Sequence, residues 1–221
     1  MTGVVRSGAW WARDYLYALA WQSRALVNRT DPRSFLTGTR TPVVVLPGIY
    51  ETWKFMQPLI ERLHERGHPV HVVKKLHRNH RPVEDVAEHV AAYLEDHGLR
   101  DVILVAHSKG GLAGKLVMVS AGGERVRGML AIATPFGGSR YARMMPVASL
   151  RAFSPRNPSI TELSQHESVN SRIVSVYAAF DPHIPERSEL PGARNVSLDT
   201  GGHFRVLAHP GVLAAFAALE E

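Results

Sequence analysis

Six short, mostly apolar runs, separated by longer segments with helical spacing, constrain the fold of this chain more than any other feature. The runs are 42–46, 69–73, 102–106, 129–133, 173–178 and 195–198. Strands that are apolar on both sides are typical of a parallel sheet that helices cover on both faces. The sequence therefore predicts an α/β fold with a mostly parallel central sheet of about six strands.

The segments between the runs predict the helices and the domain boundaries. Apolar residues recur four apart in 53–66, where the regular helix should begin at Pro58, and again in 83–97. Further helices are expected from Lys109 onward and over 212–219. Residues 31–221 then form one domain, with a small cap of about 139–170 after the fourth strand. Residues 1–30 form an extra N-terminal helix packed on that domain.

Residues that could carry chemistry follow directly after the apolar runs. In open parallel sheets, ligands bind beyond the carboxyl ends of the strands. The segments at these positions are Pro47-Gly48-Ile49, His107-Ser108-Lys109, Thr134-Pro135-Phe136, Asp181-Pro182-His183 and Gly201-Gly202-His203. The spacing thus predicts that a serine, an aspartate and three histidines lie at one edge of the sheet.

Ser108 stands where a strand turns sharply into a helix. A tight turn of this kind exposes the hydroxyl but strains the backbone, so the residues two before and two after it must be small. Ala106 and Gly110 occupy those positions, and Gly111 follows. The first amides of the helix from Lys109 would favour a developing oxyanion. The pattern is typical of a serine nucleophile.

At these residues the sequence resembles the α/β-hydrolase superfamily, in particular small bacterial lipase- and esterase-like serine hydrolases. The motif AHSKG is similar to the nucleophile elbow G-x-S-x-G. The phrases FDPHIP and GGHFRVLAHP stand where the family carries its acid and its histidine. The phrases VLPGIYETW and ATPFGGS resemble the oxyanion loop and a lipase T-P-x-x-G-S segment. The resemblance covers about 42–219.

The resemblance implies a minimal α/β-hydrolase fold and a Ser-His-Asp triad of Ser108, His203 and Asp181. Asp199 is the alternative acid, although turn chemistry explains it better. The oxyanion hole would be the backbone amides of Ile49 and Lys109. The implied activity is hydrolysis of carboxylic esters through an acyl-enzyme. Acyl transfer or thioester cleavage by the same triad is an alternative, and a hydrolase-like binding module is the non-enzymatic one.

Lys109 is unusual, because the family commonly has an uncharged residue after the nucleophile. One interpretation is a stem packed on the helix with its ammonium reaching solvent. The other is an ion pair with Glu51, three residues after Gly48 on the oxyanion loop. Such a pair would join the two halves of the oxyanion hole.

An apolar substrate pocket is expected from large side chains near the strand ends and in the cap. The residues predicted to line it are Tyr50, Trp53, Phe136, Met144 and Met145. Flexible apolar side chains at a pocket rim suit an acyl or aryl group. Ordinary packing of a connecting helix would explain the cap residues equally well. The substrate expected is a small-molecule or lipid ester, whose chain length the sequence does not indicate.

Composition excludes several other classes. The chain has no cysteine, which rules out disulfides, zinc-thiolate sites and a cysteine nucleophile. No H-E-x-x-H spacing occurs, and GGLAGK departs from the phosphate-loop pattern, so neither a metal nor another cofactor is expected. The net charge is +6, but the charges are scattered rather than clustered, so nucleic acid is not an expected partner. Nothing indicates an oligomeric state.

The N-terminal segment 8–27 holds three Trp and two Tyr and reads as a helix. Arg13 and Asp14 make it a poor membrane span, and it lacks the features of a signal peptide. Docking on the domain is the favoured interpretation, and peripheral contact with a lipid surface is the alternative. A cytoplasmic protein is expected, with the periphery of a membrane as the other location.

Overall fold

A computed structural model describes the backbone of residues 2–221 and the side chains of residues 7–221. Residue 1 of the predicted N-terminal segment lies outside them. Six strands of this part of the chain form one sheet: β1 (Val43–Leu46), β2 (Val70–Val72), β3 (Val102–His107), β4 (Val126–Ile132), β5 (Ile173–Phe180) and β6 (Arg194–Gly201). Their order in the sheet is β2-β1-β3-β4-β5-β6. Every pairing is parallel, so the predicted sheet is confirmed.

Seven α-helices within residues 2–221 connect or flank the strands. They are α1 (Thr2–Val27), α2 (Gln57–Glu65), α3 (Val83–Asp96), α4 (Lys109–Val119), α5 (Ala148–Arg151), α6 (Pro158–Gln165) and α7 (Pro210–Phe216). The regular part of α2 follows a 3₁₀ turn at Trp53–Met56, because Pro58 fits only in a first turn. The short helices α5 and α6 occupy the predicted cap.

The central strands are apolar throughout because both of their faces are covered. Val43 and Val45 of β1 pack into one hydrophobic cluster, while Val44 and Leu46 pack into the cluster on the opposite face. All six residues of β3 are buried. A strand with two buried faces loses the polar alternation of a half-exposed strand, which is why the runs are visible in the sequence.

Four strands extend beyond the apolar runs that predict them, and β3 and β5 end at His107 and Phe180. β4 begins at Val126 and β6 extends over Arg194–Gly201. The residues added to β6 include exposed Arg194 and Asp199 at the sheet edge, where polar residues are tolerated. Their polarity hid these residues from a search for continuous apolar runs.

The helix α1 lies against the domain at the edge formed by β6. It contacts β6, the turn Trp53–Met56 and a 3₁₀ turn at Arg205–Ala208. Tyr17, Ala18 and Trp21 pack on the hydrophobic cluster of that face. None of the helices described in residues 2–221 combines the length and apolarity needed to cross a membrane.

Candidate active site

Ser108 sits at the tip of the turn from β3 into α4. Its φ of 50° and ψ of −120° are strained for a residue with a Cβ. A Cβ on Gly110 would lie 2.2 Å from the Leu46 carbonyl oxygen, and one on Gly111 would lie 2.0 Å from Thr134 Oγ1. Small residues are therefore required because the turn presses against β1 and against the loop after β4.

The imidazole of His203 lies between Ser108 and Asp181. Its Nε2 is 2.9 Å from Ser108 Oγ, and its Nδ1 is 2.8 Å from Asp181 Oδ2. The second carboxylate oxygen, Oδ1, accepts the amides of His183 at 2.8 Å and Ile184 at 3.1 Å. These bonds fix the carboxylate, which in turn fixes the ring so that Nε2 faces the serine.

The electrostatics of the three groups are coupled. Burial alone would raise the pKa of Asp181, but the charge and hydrogen bond of His203 and the His183 amide outweigh it and lower that pKa. Burial alone would lower the pKa of His203, yet the charge and hydrogen bond of Asp181 raise it above its ordinary value. The arrangement stabilises an imidazolium beside a carboxylate, which is the state a base reaches after it takes a serine proton.

Asp199 is exposed on β6. The His203 ring nitrogen that a triad acid would hold is bonded to Asp181 instead. Asp181, and not Asp199, is therefore the carboxylate bonded to the His203 ring.

Lys109 does not pair with Glu51, so that prediction is wrong. The side chain is buried, and its Nζ donates to the Asn79 carbonyl at 2.8 Å, to Asn79 Oδ1 at 2.9 Å and to the Arg81 carbonyl. Burial lowers its pKa to about 8, although the charges of Asp85 and Glu84 oppose the shift. The snorkelling alternative is wrong as well, because the ammonium is enclosed by the loop before α3.

Glu51 instead joins the predicted oxyanion loop to His107, the residue before Ser108. Its Oε2 accepts the Gly48 amide at 2.8 Å and lies 2.9 Å from Nδ1 of His107. The Nε2 of His107 lies 3.0 Å from the His203 carbonyl oxygen, so Nε2 must carry a proton because a carbonyl only accepts. A carboxylate that already accepts the Gly48 amide is best suited to accept again from Nδ1. This favours a buried Glu51–His107 ion pair.

Sequence reasoning missed the role of His107, although it stands beside the serine. The signal that could have found it is a histidine at the end of a fully apolar strand, because a buried histidine usually has a hydrogen-bond partner.

The role of Asn79 was also missed. Its Nδ2 donates to the Pro47 carbonyl at 2.5 Å while its oxygens hold Lys109. Asn79, 30 residues from Lys109 in the sequence, therefore connects the Lys109 side chain to the oxyanion loop.

The two predicted oxyanion donors flank the serine. Lys109 is the first residue of α4, and Ile49 lines the same cavity as Ser108. Gly48 precedes Ile49 and approaches the Glu51 carboxylate closely, since a Cβ there would lie 2.9 Å from Oε2. The loop that carries the Ile49 amide is thus held against the turn at Ser108 by Glu51.

A cavity of about 480 Å³ opens at Ser108 and His203. Most of its wall is apolar and comes from the oxyanion loop, the cap, the loop after β5 and α1. These residues include Ile49, Tyr50, Tyr141, Met145, Leu150, Phe153, Ile184, Phe204 and Tyr15. A concave apolar site with a few converging polar groups is the usual form of a small-molecule site.

The predicted pocket residues divide into two groups. Tyr50 and Met145 line the cavity. Trp53 does not, because it packs edge-on against Phe35 and faces a separate cavity. Phe136 lies buried in the hydrophobic cluster under the sheet, and Met144 is 76% exposed on the outside of the cap. These three predictions were wrong because a position near a strand end or in the cap does not fix the direction of a side chain.

His183 and Tyr15 form a polar spot in the cavity wall. The Tyr15 hydroxyl lies 3.1 Å from His183 Nε2. Burial, and then the nearby charge of His203, lowers the pKa of His183 to about 4, so this imidazole is neutral near pH 7. Tyr15 belongs to α1, and no sequence signal connected that helix with the cavity.

Within the described residues, no group of three or more His, Asp or Glu side chains is arranged to hold a metal ion. The groups that the site offers to a reaction are the side chains and backbone amides given above.

No family model matches the sequence, and no curated protein matches it. Solved structures do. The mature form of BlEst2, a Bacillus licheniformis lipase, has a TM-score of 0.67 and 18% identity, with 88% of this chain and 95% of that chain covered. An extracellular α/β-hydrolase from a Paenibacillus species has a TM-score of 0.56 and 17% identity, covering 81% and 98%. A hydrolase from Oleispira antarctica has a TM-score of 0.61 and 14% identity, covering 84% and 93%.

These likenesses establish the architecture. The chain has the α/β-hydrolase fold, as the resemblance of its motifs implied, and its six parallel strands fit that fold.

Proposed function

We propose that this protein is a serine hydrolase that cleaves carboxylic esters. The observation that supports it best is the position of His203, bonded to Ser108 on one side and to Asp181 on the other. The solved structures with the same fold include a lipase and several hydrolases. A protein that only binds a ligand would not need a serine, a histidine and an aspartate joined by hydrogen bonds beside a cavity.

In the proposed reaction, His203 takes the Ser108 proton as the hydroxyl oxygen attacks the ester carbonyl carbon. The tetrahedral oxyanion is stabilised by the amides of Ile49 and Lys109. The imidazolium then gives its proton to the leaving alcohol, and an acyl-enzyme remains on Ser108. Water, deprotonated by His203, releases the carboxylic acid, while Asp181 holds the ring tautomer throughout.

The cavity supports an ester whose acyl or aryl group is apolar. Its polar groups gather close to Ser108, whereas the wall on the cap side is made of large apolar side chains such as Met145, Leu150 and Phe153. An acyl chain that covers this wall removes apolar surface from water, which contributes about 25 cal/mol per Å². Rates should therefore rise with acyl length until the chain outgrows the cavity.

The test is covalent labelling with a fluorophosphonate, followed by hydrolysis of a series of esters of increasing acyl length. Ser108→Ala should remove both labelling and turnover, because it deletes only the attacking hydroxyl. Ser139→Ala is the matched control: this serine lines the same cavity, but its hydroxyl donates to the His183 carbonyl. Turnover by the Ser108→Ala protein equal to that of wild type would contradict the proposal.

Acyl transfer and thioester cleavage use the same triad, and a competition experiment separates them from hydrolysis. Added alcohols or amines would divert the acyl group from water in a transferase, and a thioester would be preferred to its oxygen ester in a thioesterase. Release of free acid at an unchanged rate, with no such preference, supports ester hydrolysis.

We also propose that the outer face of α1 contacts a lipid surface. Among the described side chains of α1, the large apolar ones that are exposed are Trp11, Tyr15, Leu16, Leu19, Leu26 and Val27. In the cap, Met144 and Val147 are also exposed, and residues 139–161 contain four arginines and no acidic residue. Apolar side chains bordered by arginines suit an anionic membrane surface.

Sedimentation with anionic and with neutral phospholipid vesicles tests this contact. Replacing Leu16, Leu19 and Leu26 together by Ser should weaken binding to anionic vesicles, whereas Leu36→Ser, at an exposed apolar residue outside α1, should not. Unchanged vesicle binding by the triple variant, or loss of a dimer instead of loss of vesicle binding, would contradict lipid contact.

A further inference from the structure

The most completely engaged carboxylate outside the triad belongs to α1. Asp14 is 0% exposed. Its Oδ2 accepts the backbone amide of His203 at 2.9 Å, and its Oδ1 accepts the amides of Phe204 and Arg205, each at 2.8 Å. One side chain thus satisfies three consecutive amides that begin at the catalytic histidine.

We propose that Asp14 is a positioning residue for His203, so that α1 is a working part of the active site. The inference rests on the proposed function, because it concerns the orientation of the histidine that serves as the base. Asp14 does not touch the substrate. It acts by holding the backbone from which the His203 ring projects toward Ser108.

The local chain shows why this carboxylate is needed. The amides of residues 203–205 precede and begin the 3₁₀ turn Arg205–Ala208, where the first amides have no partner within the turn. A buried amide without an acceptor costs roughly 1–3 kcal/mol. A carboxylate from another helix meets this need for three amides at once, in the manner of an N-cap.

The two glycines before His203 leave room for this contact. A Cβ on Gly202 would lie 2.3 Å from Asp14 Oδ1, and a Cβ on Gly201 would lie 2.3 Å from the Trp10 ring. Gly202 also has φ of +119°, which disfavours other residues. The Gly-Gly pair therefore allows side chains of α1 to come into direct contact with the backbone of the histidine loop.

His203 is consequently held at both ends of its backbone as well as at its ring. Asp14 accepts its amide, and His107 Nε2 donates to its carbonyl oxygen. The Nε2 atom of His203 must stay near 2.9 Å from Ser108 Oγ to take the proton. A displacement of about 1 Å in such a group can lower the rate about 10²-fold.

The charge of Asp14 acts on the same histidine. The groups that face His203 are the carboxylates of Asp181, Glu51 and Asp14, the rings of His107 and His183, and Ser108. Burial lowers the pKa of His203, and the three carboxylates raise it, Asp14 among them. Removal of the Asp14 charge should therefore lower that pKa. Because the base must be neutral to act, the acidic limb of the pH–rate profile should move to lower pH.

The test compares Asp14→Asn with wild type in labelling by a fluorophosphonate and in ester hydrolysis. In either orientation, the introduced side-chain amide would direct its N–H atoms at one or two backbone N–H groups. We expect final labelling to remain near one per chain, while the labelling rate and kcat fall roughly 10–100-fold and KM changes much less. The acidic limb of the labelling rate should move to lower pH.

Two further variants separate positioning from stability. Asp14→Glu keeps the charge with altered geometry, so its acidic limb should stay at the wild-type pH even where kcat falls. Trp21→Leu removes packing between α1 and the domain at a residue two helical turns from Asp14. It should lower the melting temperature and leave the rate per labelled site unchanged.

Two results would overturn the proposal. One is an Asp14→Asn protein whose final labelling falls while its rate per labelled site stays at the wild-type value, since Asp14 would then only stabilise the fold. The other applies if the Asp14→Asn protein does not fold: an Asp14→Glu protein whose labelling rate and kcat equal those of wild type. Failure of wild type to label would instead reject the serine hydrolase itself.

Discussion

On one side of Ser108, His203 is held by carboxylates: Asp181 bonds its ring and Asp14 bonds its backbone. On the other side, the oxyanion loop is held by two basic side chains of different kinds. His107 faces the carboxylate of Glu51, whereas the Lys109 ammonium is hydrogen-bonded only to carbonyl and amide oxygens. Both side chains adjoin Ser108, and both are buried.

The difference shows that a buried cation at this turn does not need a counter-ion within hydrogen-bond distance, provided that its protons have acceptors. Three acceptors satisfy the three protons of the Lys109 ammonium. They do not replace the solvation it loses, so burial lowers its pKa to about 8. An ion pair between Glu51 and His107 would keep both of its charges compensated. Substitutions should therefore be most damaging at the histidine side, intermediate at the ion pair and smallest at the lysine.

Asp181→Asn should have the largest effect among residues that hold others in place. The amide accepts at one atom and donates at the other, which favours the wrong tautomer of His203, and kcat should fall about 10⁴-fold. Asp199→Asn is the matched control, since this exposed carboxylate is not the partner of His203 Nδ1, and it should change kcat only slightly. Steady-state kinetics on one ester decide between them. A large fall in kcat for Asp199→Asn together with a small one for Asp181→Asn would reverse the assignment of the acid.

Glu51→Gln should rank second. Removal of one member of a buried ion pair destabilises a protein by about 3–5 kcal/mol, which urea unfolding would measure. The freed loop also carries the Ile49 amide, so kcat should fall roughly 10²-fold. Glu61→Gln provides the control, because Glu61 is exposed on α2 and bonds Gln57. Equal unfolding free energies for Glu51→Gln and wild type would show that the pair is not an ion pair.

The residues that could be predicted are those whose position follows from strand order. Ser108, Asp181 and His203 each follow a strand of one parallel sheet, so the spacing of apolar runs brings them to one edge. The motifs then distinguish the serine from its neighbours. The fold could be predicted for the same reason, because the runs are buried on both faces.

The residues that could not be predicted depend on how loops and helices dock. Asn79 reaches Lys109 from a loop whose path no pattern specifies, and Asp14 reaches His203 across 189 residues of sequence. An acidic residue in an aromatic helix looks like a solvated position until the docked face is known. Met144 failed for a related reason, because a 3₁₀ turn in the cap points it outward.

Lys109→Met should have the smallest effect on catalysis and a distinctive effect on stability. The lysine reaches the oxyanion loop only through Asn79, so kcat should fall by no more than about tenfold, well below the loss at a direct oxyanion donor. Its folded pKa of about 8 lies below the value of about 10.4 in an unfolded chain. Between these values the unfolded state binds more protons, so wild type gains stability as pH rises.

The measurement is the unfolding free energy of both proteins from pH 7 to pH 10. Below about pH 8 both states of wild type hold the proton, and the difference from Lys109→Met should be constant. Above about pH 8, the unfolding free energy of wild type should rise relative to that of the variant by up to about 1.4 kcal/mol per pH unit. Lys75→Met, at an exposed lysine, should show no such slope. If the difference in unfolding free energy between wild type and Lys109→Met stays constant across this range, Lys109 has access to water. Lys109 and His107 would then differ only in the geometry of their hydrogen bonds.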